Sequence, residues 1–167
     1  MRRGFAPRRT YRCPMPTTWT DDELRTRARW LLNSYRHWAG EDLIELPGGG
    51  GDDDARRARA LFEAPLAVLA HDTRPDPLCV YANAAALAAF ELTLSEAASF
   101  ATSRTVEPAA REERSAALAR AAEAGLLSGY RGMRVSTTGR RFQIEDGRIW
   151  TVLDDDGRRV GLAASFR

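Results

Sequence analysis

The residues best equipped for chemistry gather in one short stretch, HDTRPDP, residues 71–77. His71, Asp72 and Asp76 are types that hold a metal or form an acid–base set. A metal centre needs three or four ligands in fixed geometry, and the only other histidine, His37, lies far away in the chain. The same heptapeptide also reads as a turn between two strands, because proline pre-sets φ and aspartate bonds the neighbouring backbone. Cys79 has no base beside it and reads as a small buried thiol. Cys13 and Cys79 form neither a CxxC pair nor a disulfide framework, which points to a reducing, cytoplasmic setting. The sequence holds no P-loop, GxGxxG, HExxH or nucleophile elbow, so no catalytic residue, metal or required cofactor is expected. Arg131, Arg134, Arg140, Arg141 and Arg148 lie in strand-like segments and could recognise an anion, but an exposed, ion-paired sheet face is the plainer reading.

Net charge means little here until it is divided by position. All 25 basic residues are arginine, and five of them (Arg2, Arg3, Arg8, Arg9, Arg12) fall in the first fourteen residues. Removing those five leaves 20 basic against 23 acidic residues, a body without the electrostatic footprint of a nucleic-acid binder. No apolar run reaches the roughly 18 residues of a membrane span. The Arg-rich start also lacks the roughly 7 to 15 apolar residues of a signal-peptide core. Neither nucleic acid nor membrane is an expected partner.

The elements that position these residues follow from periodicity and punctuation. Residues 1–18 are expected to be a disordered basic leader, with Met15 as an alternative start. Order begins at Trp19, where Thr20 and Glu23 have capping-box spacing and Trp19 and Leu24 that of a hydrophobic staple. A helix is predicted from there to about Ala39, closed by Gly40. Its seam of Leu24, Ala28, Leu31, Tyr35 and Trp38 either packs on the body or pairs with a second copy. Residues 47–54 read as a Gly/Asp linker closing a 19–46 helical segment, and a short helix follows from Ala55, capped by Asp54. Strands are predicted at 66–70 and 78–81, then a helix capped by Asn83, a second capping box at Thr93 and Glu96, and a helix over 108–125. From Gly129 onward three strands are divided by TTG and DDDG turns. The expected fold class is α+β, with helices over one antiparallel sheet.

Several stretches together resemble a known family. LFEAPLAVLAHDTRPDPLCVYANAAAL, SRTVEPAAREERSAAL and the run from GYRGMRVS to GLAASF, spanning residues 61–166, are similar to the MEKHLA domain, a relative of the PAS sensor fold. NSYRHWAGEDLI resembles the lead-in of its bacterial members; the domain also ends plant class III homeodomain-leucine zipper transcription factors. Two departures stand out: Ala70 where Ser usually precedes the His, and Thr102 where Pro usually precedes Ser-Arg. A hydrogen bond given to that Ser has no counterpart here. The resemblance implies a PAS-like domain over 55–167, with about five antiparallel strands, helices on one face and an added N-terminal amphipathic helix. In that fold the space under the helices holds haem, flavin or a metabolite, or is packed. Cys79 lies on a strand, against a light-sensing flavin type, and His71 beside a turn is a poor haem ligand.

The candidate pocket residues are Tyr81, Asn83, Leu87, Phe90, Met133, Val135, Phe142 and Trp150, read either as core or as a cavity lining. Tyr81 and Asn83 carry the polar handles. The leading expectation is a non-catalytic sensor or interaction module that binds a small molecule or a protein partner. Because the sequence ends at Arg167, immediately after the last strand, its signal is expected to pass on in trans. Two rivals remain: an acid–base enzyme using His71, Asp72 and Asp76, and a dimerisation adaptor using the helical seam. The first requires an aspartate facing an enclosed pocket.

Overall fold

The structure, a computed structural model, describes residues 19–46, 48 and 53–167. The basic leader, Met15, Cys13 and most of the Gly/Asp linker lie outside the described residues. Helix α1 (Asp21–Ala39) starts at the predicted capping box, with both reciprocal bonds between Thr20 and Glu23 present, and ends at Gly40 with φ 73°. Residues 41–46 are not helical. Helix α2 (Asp53–Glu63) begins two residues before its predicted start. Asp53 and Asp54, expected as linker and cap, form its first turn, where negative charge suits the helix dipole.

Strands β1 (Ala67–His71) and β2 (Cys79–Ala82) form the predicted hairpin around residues 72–78. Helix α3 (Ala84–Phe90) follows its Asn83 cap, and α4 (Leu94–Ala97) its capping box at Thr93. Two 3₁₀ turns, Thr102–Thr105 and Pro108–Ala110, lead into α5 (Arg111–Ala124). The chain continues through β3 (Leu126–Val135), β4 (Arg141–Leu153) and β5 (Arg159–Phe166). All neighbours pair antiparallel in one sheet of order β2-β1-β5-β4-β3. No helix among the described residues is long and apolar enough to cross a membrane.

The sheet is covered on both faces. Helices α3, α4 and α5 bury Phe90, Ala97, Ala117 and Ala121 against the inner face, which offers Ile149, Leu162 and Phe166. Helices α1 and α2 bury Leu31, Tyr35 and Leu61 against the outer face, which offers Val68, Tyr81 and Trp150. The seam of α1 is therefore used within the chain. Ala28, Leu31 and Tyr35 are buried, and Leu24 and Trp38 lie partly buried at its ends. Polar bonds fix the contact: Trp150 Nε1 donates to the Leu31 carbonyl at 3.3 Å, Trp38 Nε1 to that of Thr151 at 2.8 Å, and Leu153 N to Ser34 Oγ at 2.8 Å.

Two backbone irregularities decide which side chains face inward. Leu127 and Tyr130, three positions apart, both reach the inner core, with Gly129 at φ 70° between them. Ile144 and Ile149, five apart, also share that core, across Asp146 at φ 50°. Strict alternation would place each pair on opposite faces, so each is a bulge that resets the phase.

Gly125 ends α5 at φ 85°, and a Cβ there would overlap the Trp38 ring. Gly125→Ala is expected to cost about 1–2 kcal/mol from the left-handed backbone alone, with the overlap adding to it. The urea midpoint should fall accordingly; a fall no larger than the backbone cost alone would show that Trp38 of α1 does not press on this corner.

Candidate functional site

The inner face carries a small, partly open space between the sheet, α5 and the first 3₁₀ turn. Its lining includes His71 from β1, Thr102, Arg114 from α5, Tyr130 and Arg134 from β3, and Leu162 from β5. The free volume is about 50 Å³, room for about four waters. Pockets for drug-sized ligands and cofactors run to about 300 Å³ and more. The residues present therefore do not fit a flavin or a haem.

Alternation along β1 puts Ala67 and Leu69 in the inner core and carries His71 to the same side. Its Nδ1 contacts the Asp72 carbonyl at 2.8 Å, so Nδ1 carries the proton and Nε2 keeps its lone pair. That Nε2 is buried and meets no hydrogen-bond partner among the described residues. Burial lowers the imidazole pKa and outweighs the bond to Asp72, keeping the ring neutral. Arg114 reaches the cavity because residues 114, 117, 118 and 121 share one face of α5, the face that buries Ala117 and Ala121. Its Nη2 donates to Thr102 Oγ1 at 3.1 Å. Thr102 in turn donates to the Pro77 carbonyl at 3.3 Å, and Thr105 to that of Thr102 at 2.7 Å.

Arg134 is buried, against the expectation of an exposed guanidinium. It shares the inner side with Tyr130, and its guanidinium lies 5.3 Å from that ring centroid. Nη2 donates to Tyr130 Oη at 2.9 Å, and Nη1 to the Met133 carbonyl at 2.9 Å. A Cβ at Gly132 would run into Tyr130 Oη, so the glycine admits this bond. Among the described residues no carboxylate pairs with either Arg114 or Arg134. Burial and the neighbouring Arg134 lower the Arg114 pKa to about 10. The other strand arginines follow expectation better: Arg141 pairs with Glu107 at 2.6 Å, Arg140 with Glu91 at 3.9 Å, and Arg131 is exposed. Arg148 sits 5.8 Å from the Tyr35 ring centroid.

The eight sequence-proposed pocket residues do not converge. Leu87, Phe90 and Phe142 belong to the inner core, and of these Phe90 borders the cavity. Tyr81 and Trp150 point the other way, into the outer core under α1. Tyr81 borders a separate, half-open space of about 160 Å³ with Arg27 and Trp30. Its hydroxyl is buried without a partner, and burial raises its pKa. Met133 is exposed and Val135 half-buried, because they alternate with inward-facing Gly132 and Arg134. Asn83 is fully buried with every polar atom engaged. Oδ1 accepts from Val68 N at 2.8 Å and Ala86 N at 3.0 Å, while Nδ2 donates to the Leu61 and Leu66 carbonyls at 3.1 and 2.8 Å. It is a structural lock with no bond left for a ligand.

The aspartates of the opening turn are also committed. Asp72 Oδ1 accepts from Arg74 N and Leu78 N, and its other oxygen pairs with Arg74 at 3.0 Å. Asp76 is exposed and accepts from Ser103 Oγ at 2.7 Å. Neither lines the inner cavity. Cys79 is buried, and burial pushes its thiol up to about 12, as an inert thiol would be. No cluster of three or more metal-ligating side chains occurs among the described residues.

Comparison with known proteins agrees with this architecture. Residues 25–167 match the MEKHLA domain. Over 130 residues the chain is 28% identical to the homeobox-leucine zipper protein REVOLUTA of Arabidopsis thaliana, a match covering 78% of this chain and 15% of that protein. It is 27% identical over 135 residues to the homeobox-leucine zipper protein HOX29 of Oryza sativa subsp. japonica, covering 81% of this chain and 15% of that one. The chain thus spans about 15% of the length of these relatives. Both are plant proteins and give no support to a bacterial source. Among solved structures it resembles the PAS domain of a protein from Colwellia psychrerythraea, with a TM-score of 0.60 at 17% identity, covering 70% of this chain and 96% of that one. A light-oxygen-voltage domain from work with a flavin analogue gives a TM-score of 0.53 at 20% identity, covering 65% of this chain and 80% of that one. At these identities the likeness concerns the fold, which is PAS-like. With its fold, element order and most of its length accounted for, the chain belongs to the MEKHLA domain family.

Proposed function

We propose that the chain is a non-catalytic, cytoplasmic sensor or interaction module that binds a small molecule in its inner cavity and signals through a protein partner. One observation carries the reading: a partly open space in a PAS-like fold is lined by His71, whose buried Nε2 meets no partner among the described residues, and by two arginines without a carboxylate partner. Buried polar atoms are normally paired, so an orphan aimed into a cavity marks a place where an occupant would gain most. The engaged state of Asp72 and Asp76 speaks against the acid–base rival, and the internal use of the α1 seam against the adaptor.

Native mass spectrometry of the full chain from gentle purification tests this. A retained small mass is expected, and it should vanish in Leu118→Trp, which fills the cavity from α5. Turnover of a substrate that disappears in His71→Ala or Asp76→Ala would overturn the reading.

A further inference from the structure

The inner cavity has an unusual charge balance. Three arginines line it; Arg148 lies with its guanidinium over the Tyr35 ring, while Arg114 from α5 and Arg134 from β3 meet no carboxylate among the described residues. Each repels the other, and burial already opposes the charge of Arg114. A buried charge normally has an ionic or fully hydrogen-bonded partner. Arg114 has one bond to Thr102, and Arg134 has two, both to uncharged oxygens. The nearby carboxylate that acts on Arg114, Asp76, is tied to Ser103 in the exposed turn.

His71 supplies the third group. Its Nδ1–H is committed to the Asp72 carbonyl, which leaves an acceptor lone pair on the orphaned Nε2 of a residue that lines this cavity and also borders the space beside Tyr81. The site thus offers two cationic forks and one neutral acceptor. An oxyanion satisfies the forks through charge-assisted, potentially bidentate bonds. A hydroxyl on the same ligand satisfies Nε2 as its donor. Size sets the remaining limit, since about 50 Å³ admits only about five heavy atoms.

Resting on the sensor reading and deepening it, we propose that this cavity receives a small oxyanion bearing a hydroxyl, of the size of hydrogen phosphate or glycolate, held by Arg114 and Arg134 with its hydroxyl donated to His71 Nε2. Thr102 orients Arg114, and Tyr130 holds Arg134 flat for the same purpose.

Isothermal titration of the dialysed full chain near neutral pH, with inorganic phosphate, glycolate, acetate and chloride, tests the assignment. Saturable binding of phosphate or glycolate at millimolar concentration or below is expected, with acetate weaker and chloride silent. Phosphate outranking glycolate identifies the tetrahedral ion, and the reverse order the carboxylate. Arg114→Gln should weaken binding by about tenfold or more, the worth of one charge-assisted bond. Arg114, less buried than Arg134, is chosen so that the fold survives, as circular dichroism would verify. Arg114→Lys keeps the charge without the fork and should recover only part of the affinity. His71→Phe should abolish the preference over acetate. Absence of saturable heat from both hydroxyl-bearing anions, or binding indifferent to Arg114→Gln, overturns the proposal. If native mass spectrometry then still finds a neutral retained molecule, the oxyanion assignment alone has failed; if nothing is retained either, the sensor reading fails with it.

Discussion

An Asn83→Ala chain is expected to lose about 3–5 kcal/mol of stability, more than the removal of a simple helix cap. An ordinary Asn cap is worth about 1 kcal/mol. Here the same side chain also bonds Val68 N and bridges to the Leu61 and Leu66 carbonyls, at full burial. Truncation strands two amides and two carbonyls where water has little access, and each stranded group costs about 1–3 kcal/mol before the structure relaxes. For a chain of this length the melting temperature should drop by roughly 10 °C, using about 2–4 °C per kcal/mol. Asn83→Asp separates the roles: it retains both acceptor bonds and loses both donor bonds, while burying a charge. It should therefore be at least as damaging as alanine. A change of only a degree or two in either variant would mean that the residue merely caps α3. The physical point is topological, because Asn83 joins α2, β1 and α3 through one amide.

Trp150→Ala is the second large effect expected, at about 3–5 kcal/mol for a buried aromatic. The indole packs edge-on to Tyr35 at 5.2 Å between centroids and donates to the Leu31 carbonyl. Such an aromatic pair adds about 0.5–1.5 kcal/mol beyond area burial. Domains of this size have about 5–15 kcal/mol in all, so the loss is a large share of the total. It should also be local in character, since Trp150 is the centre of the contact between α1 and the sheet. Hydrogen exchange is expected to show α1 amides losing protection ahead of those in β1, β4 and β5. Trp150→Phe, which keeps the packing and loses the donor, should cost far less. If α1 keeps full protection in Trp150→Ala, the helix is held by something other than this seam.

Much of the architecture was readable from local chemistry. Thr20 with Glu23, Thr93 with Glu96, and Asn83 are caps whose partners lie three residues away, so sequence spacing suffices to find them. The TTG and DDDG turns likewise give the hairpins of the closing meander. The fold class followed from the order of elements together with the resemblance to MEKHLA. Boundaries moved where a helix gained a further turn, as at Asp53.

The site was less legible, for two separate reasons. Arg114 left a usable trace, since its spacing to Ala117, Leu118 and Ala121 already marks the inward face of α5. Arg134 did not, because an arginine in a strand is ordinarily read as exposed. What reverses this is Gly129 at φ 70°, which shifts the phase of β3 and turns Tyr130 and Arg134 inward while Met133 goes out. Tyr81 and Trp150 were rightly read as buried but on an unspecified side. Their outer-face placement depends on α1 and α2 covering that face, a contact between segments distant in sequence.

The sequence by itself determined the elements, their caps, their turns and their order, because those are set by interactions within a few residues. Only the tertiary structure decided which face of the sheet each side chain meets. A strand alternates every residue, and one positive-φ position reverses the phase that follows, so Arg134 turns inward and joins Arg114 of α5 and His71 of β1 at one cavity, a convergence that only the packing of α5 on the sheet brings about. HDTRPDP ends divided accordingly: its aspartates build the turn, and its histidine belongs to the cavity.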